Sequence, residues 1–257
     1  MVRPAPSTRI KVNPLLTQFG ATRSARLADH LLQTPDTFVR APMPGMEKAT
    51  AIIHIAPSAG ARFLQYTVEF ESGGELGRCV NQRFFYVLDG EVAVAKLGTF
   101  GRGGYAYLPA GDKRSVTATS EARVAVIEKK HEPLAGAPRP LCFCGAEANI
   151  AGLALLDADG AVEVRPLVPA GPAYDFAVNV MTFQPGAVLP MVEIHVMEHG
   201  LLMLEGGGVY RLNNRWYPVA AGDFIWMAPY CPQWFGALGK EPAKYLIYKD
   251  WNRSPRA

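Results

Sequence analysis

The chain has 257 residues, with 26 lysines and arginines against 23 acidic residues and a net charge of only +3. No basic block tracks phosphates, which excludes a nucleic-acid partner. No stretch reaches the roughly 20 consecutive apolar residues of a membrane span, since "IAGLALL" stops at Asp157. Four scattered cysteines, Cys79, Cys142, Cys144 and Cys231, are too few for a disulfide scaffold. "CFC" at 142–144 has no second pair to complete a zinc site, so the thiols read as ordinary buried or half-buried groups.

In chain order, "MVRPAPSTRIKVNPLL" is basic and broken by prolines, without the apolar run and cleavage site of a secretion signal. A soluble, cytoplasmic protein is expected. "SARLADHLLQ" (24–33) predicts a helix or helical turn, and little else sustains a helical period. Strand signals then dominate: "ATAIIHIAP", "RFLQYTVEF", "RFFYVLDG", "EVAVAKLG", "YAYLPAG" and "ARVAVIEKK" are short Val-, Ile-, Phe- and Tyr-rich runs punctuated by glycine and proline. Closely spaced short strands predict a sandwich or barrel.

After the proline-rich "HEPLAGAPRP" (131–140) the same grammar returns. "FFYVLDGEVAV" followed by "GGYAYLPAG" is matched by "LLMLEGGGVYR" followed by "AGDFIWMAPY", which predicts two copies of one β-unit. The organisation expected is an N-terminal extension over 1–48, a first barrel over 49–130, a linker over 131–159 and a second barrel over 160–257. Within the second copy, "VEIHVMEHG" (192–200) packs two histidines and two glutamates into nine positions of a chain with five histidines. A metal site, an acid/base pair and a polar strand face all remain open on that composition.

These residues resemble the cupin superfamily, whose motifs run G-x5-H-x-H-x3,4-E-x6-G and G-x5-P-x-G-x2-H-x3-N. The resemblance implies an all-β bicupin of two tandem antiparallel jelly-roll barrels with few short helices. Seven residues before Gly206 stands His199, with Glu193 and His195 in the two preceding ligand slots. Counting from Gly222 puts Gln233 in the fourth. The implied metal set is therefore Glu193, His195, His199 and Gln233. On a regular strand Glu193, His195 and His199 face the metal, while Glu198 points the other way as a surface or outer carboxylate. The first copy keeps the frame but carries Arg83 and Arg114 in ligand slots. Arginine does not ligate cations, so that barrel is expected to be metal-free, with a vestigial anion pocket as the lesser alternative. His30, His54 and His131 lie outside the motif, with solvent or core roles expected.

The chain further resembles the bicupin (S)-ureidoglycine aminohydrolases, through "E-x-H-V-x-E-H-G" at 193–200, "W-x-P-V-x-x-G-D" at 216–223, Gln233 and "Y-L-I-Y-K-D-x-N-R" at 245–253. That resemblance implies a cytoplasmic, Mn2+-dependent hydrolase of purine (allantoin) catabolism that releases ammonia from ureidoglycine, with a homo-oligomeric assembly. Glu193 and Gln233 would contact both metal and substrate. Tyr245 and Lys249 would bind substrate from the last strand, and Glu193, Lys249 and Tyr210 would serve the chemistry. One departure is Gln82-Arg83, where the family tends to have Glu-Thr; an effect on packing or assembly is expected. Fold alone leaves a metal-dependent oxygenase or decarboxylase, or a non-catalytic binding bicupin, as alternatives.

Overall fold

A computed structural model describes residues 22–155 and 160–253. The proline-broken N-terminal stretch and Asp157 lie outside them. The described chain is nearly all β, with three short 3-10 turns, Pro35–Thr37, Pro57–Ala59 and Glu147–Asn149. No helix among the described residues is long and apolar enough to cross a membrane. The first half forms a ten-stranded sheet built on Met46–Ile55, Leu64–Leu76, Gln82–Asp89, Gly104–Leu108 and Ala122–Lys129. The second forms an eight-stranded sheet centred on Phe176–Phe183, His199–Glu205, Phe224–Met227 and Ala243–Asp250. A three-stranded sheet of Gly207–Leu212, Arg215–Ala220 and Gln233–Ala237 closes the second barrel.

Strand periodicity sorts the apolar side chains into three cores. Along Gln82–Asp89, Phe85 and Val87 enter the first barrel, whereas Phe84 and Tyr86 meet the second half. Along Ala243–Asp250, Tyr245 and Ile247 enter the second barrel, whereas Leu246 and Tyr248 join the seam. Burial on both faces explains why these strands read as continuous apolar runs. Phe63, Phe84, Phe176 and Phe224 are fully buried in the seam, and each contributes about 1.5–3 kcal/mol. The seam is thus a core in its own right rather than a wet contact between domains.

Residues 24–33 are not helical. They form two short strands, Ala25–Arg26 and His30–Gln33, and the latter pairs antiparallel with Phe224–Met227 of the second barrel. His30 and Leu32 are fully buried while Leu31 and Gln33 are only partly so, a period of two that the local sequence also permits. The open edge of Phe224–Met227 supplies backbone partners, and that tertiary pairing overrides helix propensity. Residues 131–159 likewise give Phe143–Ala146 to the first sheet and Leu153–Ala154 to the second.

Polar groups in the seam are paired. Lys129 Nζ reaches Asp250 Oδ1 at 3.0 Å and Asp175 Oδ2 at 3.4 Å, and Gln82 donates to Asp175 at 2.6 Å. The departure at Gln82 therefore ties the first barrel to the second half. His54 lies between Gln33 Oε1 at 2.7 Å and Thr67 Oγ1 at 2.9 Å, stacked on Phe224. Burial first, and Arg123 second, push its pKa down to about 3. Because the folded value lies below the unfolded value near 6.5, the neutral imidazole stabilises the fold above that pH, and the contribution is lost as pH falls towards 3. The expected slope is about 1.4 kcal/mol per pH unit. Denaturant unfolding at several acidic pH values should show a steeper loss for the wild type than for His54→Gln; equal slopes would refute the assignment.

Candidate metal centre

The stretch carrying Glu193 and His195 is not a regular strand. Glu193 makes an isolated bridge with Gln233, its N–H donating to Gln233 O at 2.8 Å and its carbonyl accepting from Gln233 N at 2.9 Å. His195 O accepts from Tyr230 N at 2.7 Å, and the strand begins only at His199. The expected alternation over 193–196 is therefore held by backbone contacts of an irregular segment to Gln233 and Tyr230 rather than by a continuous strand ladder. That segment turns Met191, Ile194 and Val196 to the surface, which leaves the polar side chains facing inward.

The four side chains that sequence spacing singles out come together. His195 Nδ1 and His199 Nε2 are 2.8 Å apart, Gln233 Nε2 is 3.0 Å from His195 Nδ1, and Glu193 Oε2 is 3.5 Å from His195 Nε2. His199 Nδ1 faces Tyr248 O at 3.3 Å. Donation to that carbonyl leaves the Nε2 lone pair aimed into the cluster, the tautomer a metal ligand needs. A half-turn of the Gln233 amide would put its oxygen towards the imidazoles and its NH2 towards Tyr210 Oη, now 3.0 Å from Gln233 Oε1. The donor set present thus fits a divalent cation.

Electrostatics agree with that fit. Burial lowers His199 to about 3, with His195 adding to the effect, and burial also lowers His195. Both imidazoles are therefore neutral at neutral pH. Burial raises the Glu193 carboxyl and lowers Lys249, while each opposes the other's shift by mutual attraction. Lys249 pairs in register with His199, and its Nζ lies 4.4 Å from the Trp251 ring centre. Tyr245 and Tyr210 are fully buried, their hydroxyls pushed up by burial and by the nearby Glu193 charge. Lys249 and the two tyrosines thus stand around the cluster on its barrel side.

Of the two roles expected for Glu198, a surface or an outer carboxylate, burial overturns the first. Glu198 is buried, accepts from Arg62 N at 2.8 Å and from Trp226 Nε1 at 3.1 Å, and so fastens the residue before His199 to the first half. Gly200 completes that contact: a Cβ there would stand 2.2 Å from Gln65 Oε1 and 2.7 Å from Phe63. Spacing does not reveal the contacts to Arg62, Gln65 and Phe63, because those residues lie in the first half. The alternative of an anion pocket at Arg83 and Arg114 also fails. Arg83 Nε binds Glu128 at 2.8 Å, and Arg114 Nε binds Asp112 at 2.9 Å, so both charges are already matched by carboxylates. In the first barrel an internal ion pair stands at the slot where the motif has a metal ligand.

Two family models match the chain, a cupin domain over residues 179–248 and an EutQ-like cupin domain over 57–131. The (S)-ureidoglycine aminohydrolase of Arabidopsis thaliana is 38% identical over 243 residues, spanning 92% of this chain and 80% of that protein. The enzyme of the same name from Escherichia coli is 33% identical over 234 residues, spanning 86% and 88%. Among solved structures, a putative glyoxylate-induced protein from Pseudomonas aeruginosa superposes with a TM-score of 0.84 at 31% identity, covering 92% of this chain and 93% of that one.

Proposed function

The chain belongs to the (S)-ureidoglycine aminohydrolase family of bicupins, and from that premise we propose that it hydrolyses (S)-ureidoglycine to (S)-ureidoglycolate and ammonia with Mn2+ bound in the second barrel. The reading includes a cytoplasmic location, a place in purine (allantoin) catabolism and a homo-oligomeric assembly. The observation that carries it is the convergence of Glu193, His195, His199 and Gln233 beside Lys249. Two imidazoles, a carboxylate and an amide oxygen form a borderline-to-hard set that suits Mn2+ or Fe2+, and family membership favours Mn2+. Held there, the cation supplies Lewis acidity and a template for chelating the substrate.

The chain's own groups account for the rest. Ureidoglycine bears a carboxylate, an amine and a ureido group on one carbon; the carbon–nitrogen bond to the amine breaks and a bond to the water oxygen forms. The Lys249 ammonium binds the carboxylate and orients that carbon. Glu193 and Gln233 would hold the cation and also face the substrate, and Tyr245 would form part of the substrate wall. The Tyr210 hydroxyl, already bonded to Gln233, can donate and accept at once and so orients the attacking water.

Lys249→Met is expected to retain the metal but lose about 1.5–3 kcal/mol of transition-state binding, the worth of a charged hydrogen bond. That is roughly 10–150-fold in kcat/KM. Tyr210→Phe should lower kcat with little change in KM. Ammonia release from freshly generated ureidoglycine, measured with metal content, checks both; unchanged kcat/KM in Lys249→Met would remove that residue from the site.

A further inference from the structure

Outside the centre described above, Asp29, His30 and Cys231 place a carboxylate oxygen, an imidazole nitrogen and a thiol sulfur all within 4.8 Å of one another. We propose that these three residues form a second cation site, taking a divalent cation of the zinc type that fastens the N-terminal strand to the loop ending at Gln233. Asp29 and His30 are neighbours in sequence, and Cys231 reaches them from about 200 residues later through backbone pairing. His30 pairs in register with Met227, and Ala228 N donates to Asp29 O at 2.9 Å, which brings the loop with Cys231 against the N-terminal segment.

The chemistry differs from that of the first centre. A sulfur donor together with an imidazole and a carboxylate selects a softer, four-coordinate cation, whereas the Glu193 cluster has no sulfur. Each side chain is also steered from outside, as ligands usually are. Tyr217 Oη is 2.8 Å from His30 Nε2, and Asn213 Nδ2 donates to Asp29 Oδ2 at 2.5 Å. The His30 side chain is 1% exposed and that of Asp29 32% exposed, so an ion has an approach from the Asp29 side and a buried donor behind it. His30 Nδ1 and Asp29 Oδ1, now hydrogen-bonded at 2.8 Å, are the pair the cation would part and bridge.

Cobalt(II) added to the full-length protein tests this directly, because a thiolate-to-cobalt charge-transfer band requires a sulfur ligand. The band is expected in the wild type and in His199→Ala, which lacks a ligand of the first centre, and is expected to vanish in Cys231→Ser. Cys79, Cys142 and Cys144 remain in that variant and control for stray thiol binding. Asp29→Asn, at a partly exposed position, should weaken cobalt binding by at least about 10-fold, the lower end of what loss of a mere outer partner costs, and carries the test if Cys231→Ser does not fold. Zinc equilibrated with the wild type should add one ion per chain over Cys231→Ser and raise its melting temperature. No charge-transfer band in the wild type, or an equal band and zinc content in Cys231→Ser, overturns the proposal.

Discussion

His199→Ala is expected to strip the second barrel of its divalent cation and to cut ammonia release by more than about a hundredfold. The magnitude follows from comparison with outer partners of metal ligands, whose loss already costs about 10–100-fold. His199 is almost fully buried, and its Nδ1 is held by Tyr248 O. Gln233→Ala should act in the same direction while also freeing Tyr210, whose hydroxyl bonds Gln233. Metal per chain, initial rate on freshly generated ureidoglycine and melting temperature should be read on each variant, so that unfolding is separated from ligand loss. If the wild type binds metal yet releases ammonia no faster than His199→Ala combined with Gln233→Ala, the aminohydrolase reading is wrong.

The proposed ligands were legible because glycines fix the frame from which they are counted. Gly206 turns at a φ of 63°, and a Cβ there would stand 2.5 Å from Pro242 O. Such a turn sets the offset between strands and therefore which positions converge. Spacing also placed Lys249 and Tyr245 on one face of the last strand, with Tyr248 on the other. What spacing could not reveal depends on partners far along the chain. Glu198 is buried because Arg62, 136 residues earlier, lies against it, and Arg83 is neutralised by Glu128, 45 residues later. Residues 24–33 carry no local mark of a strand, since their hydrogen-bond partners are supplied by Phe224–Met227. Local periodicity reports the faces an element offers, whereas edge pairing and buried charge are decided by what arrives from elsewhere.

Lys129→Met is the substitution expected to cost the most stability. Lys129 is buried and shared between two carboxylates, Asp175 and Asp250, in the seam between the halves. Removing one partner of a buried ion pair leaves uncompensated charge and costs about 3–5 kcal/mol. For a chain of this size that lowers the melting temperature by roughly 6–20 °C, at about 2–4 °C per kcal/mol. Asp250 keeps Arg62 Nη2 at 3.1 Å and Tyr248 Oη at 2.8 Å, whereas the fully buried Asp175 carboxylate keeps two neutral donors among the described residues, Gln82 Nε2 at 2.6 Å and the Glu132 N–H at 2.9 Å. The stranded charge is therefore chiefly that of Asp175, and Lys129→Met combined with Asp175→Asn should regain part of the loss. The same junction reaches the chemistry, because Asp250 follows Lys249 on one strand and its anchoring sets the direction in which Lys249 leaves it. Lys129→Met should accordingly lower kcat/KM at temperatures where the chain is still folded. Thermal unfolding and rate measured on the single and double variants test both links: a melting temperature for Lys129→Met within a degree or so of the wild type would mean that the carboxylates find other partners and that the seam is held by its aromatic core alone.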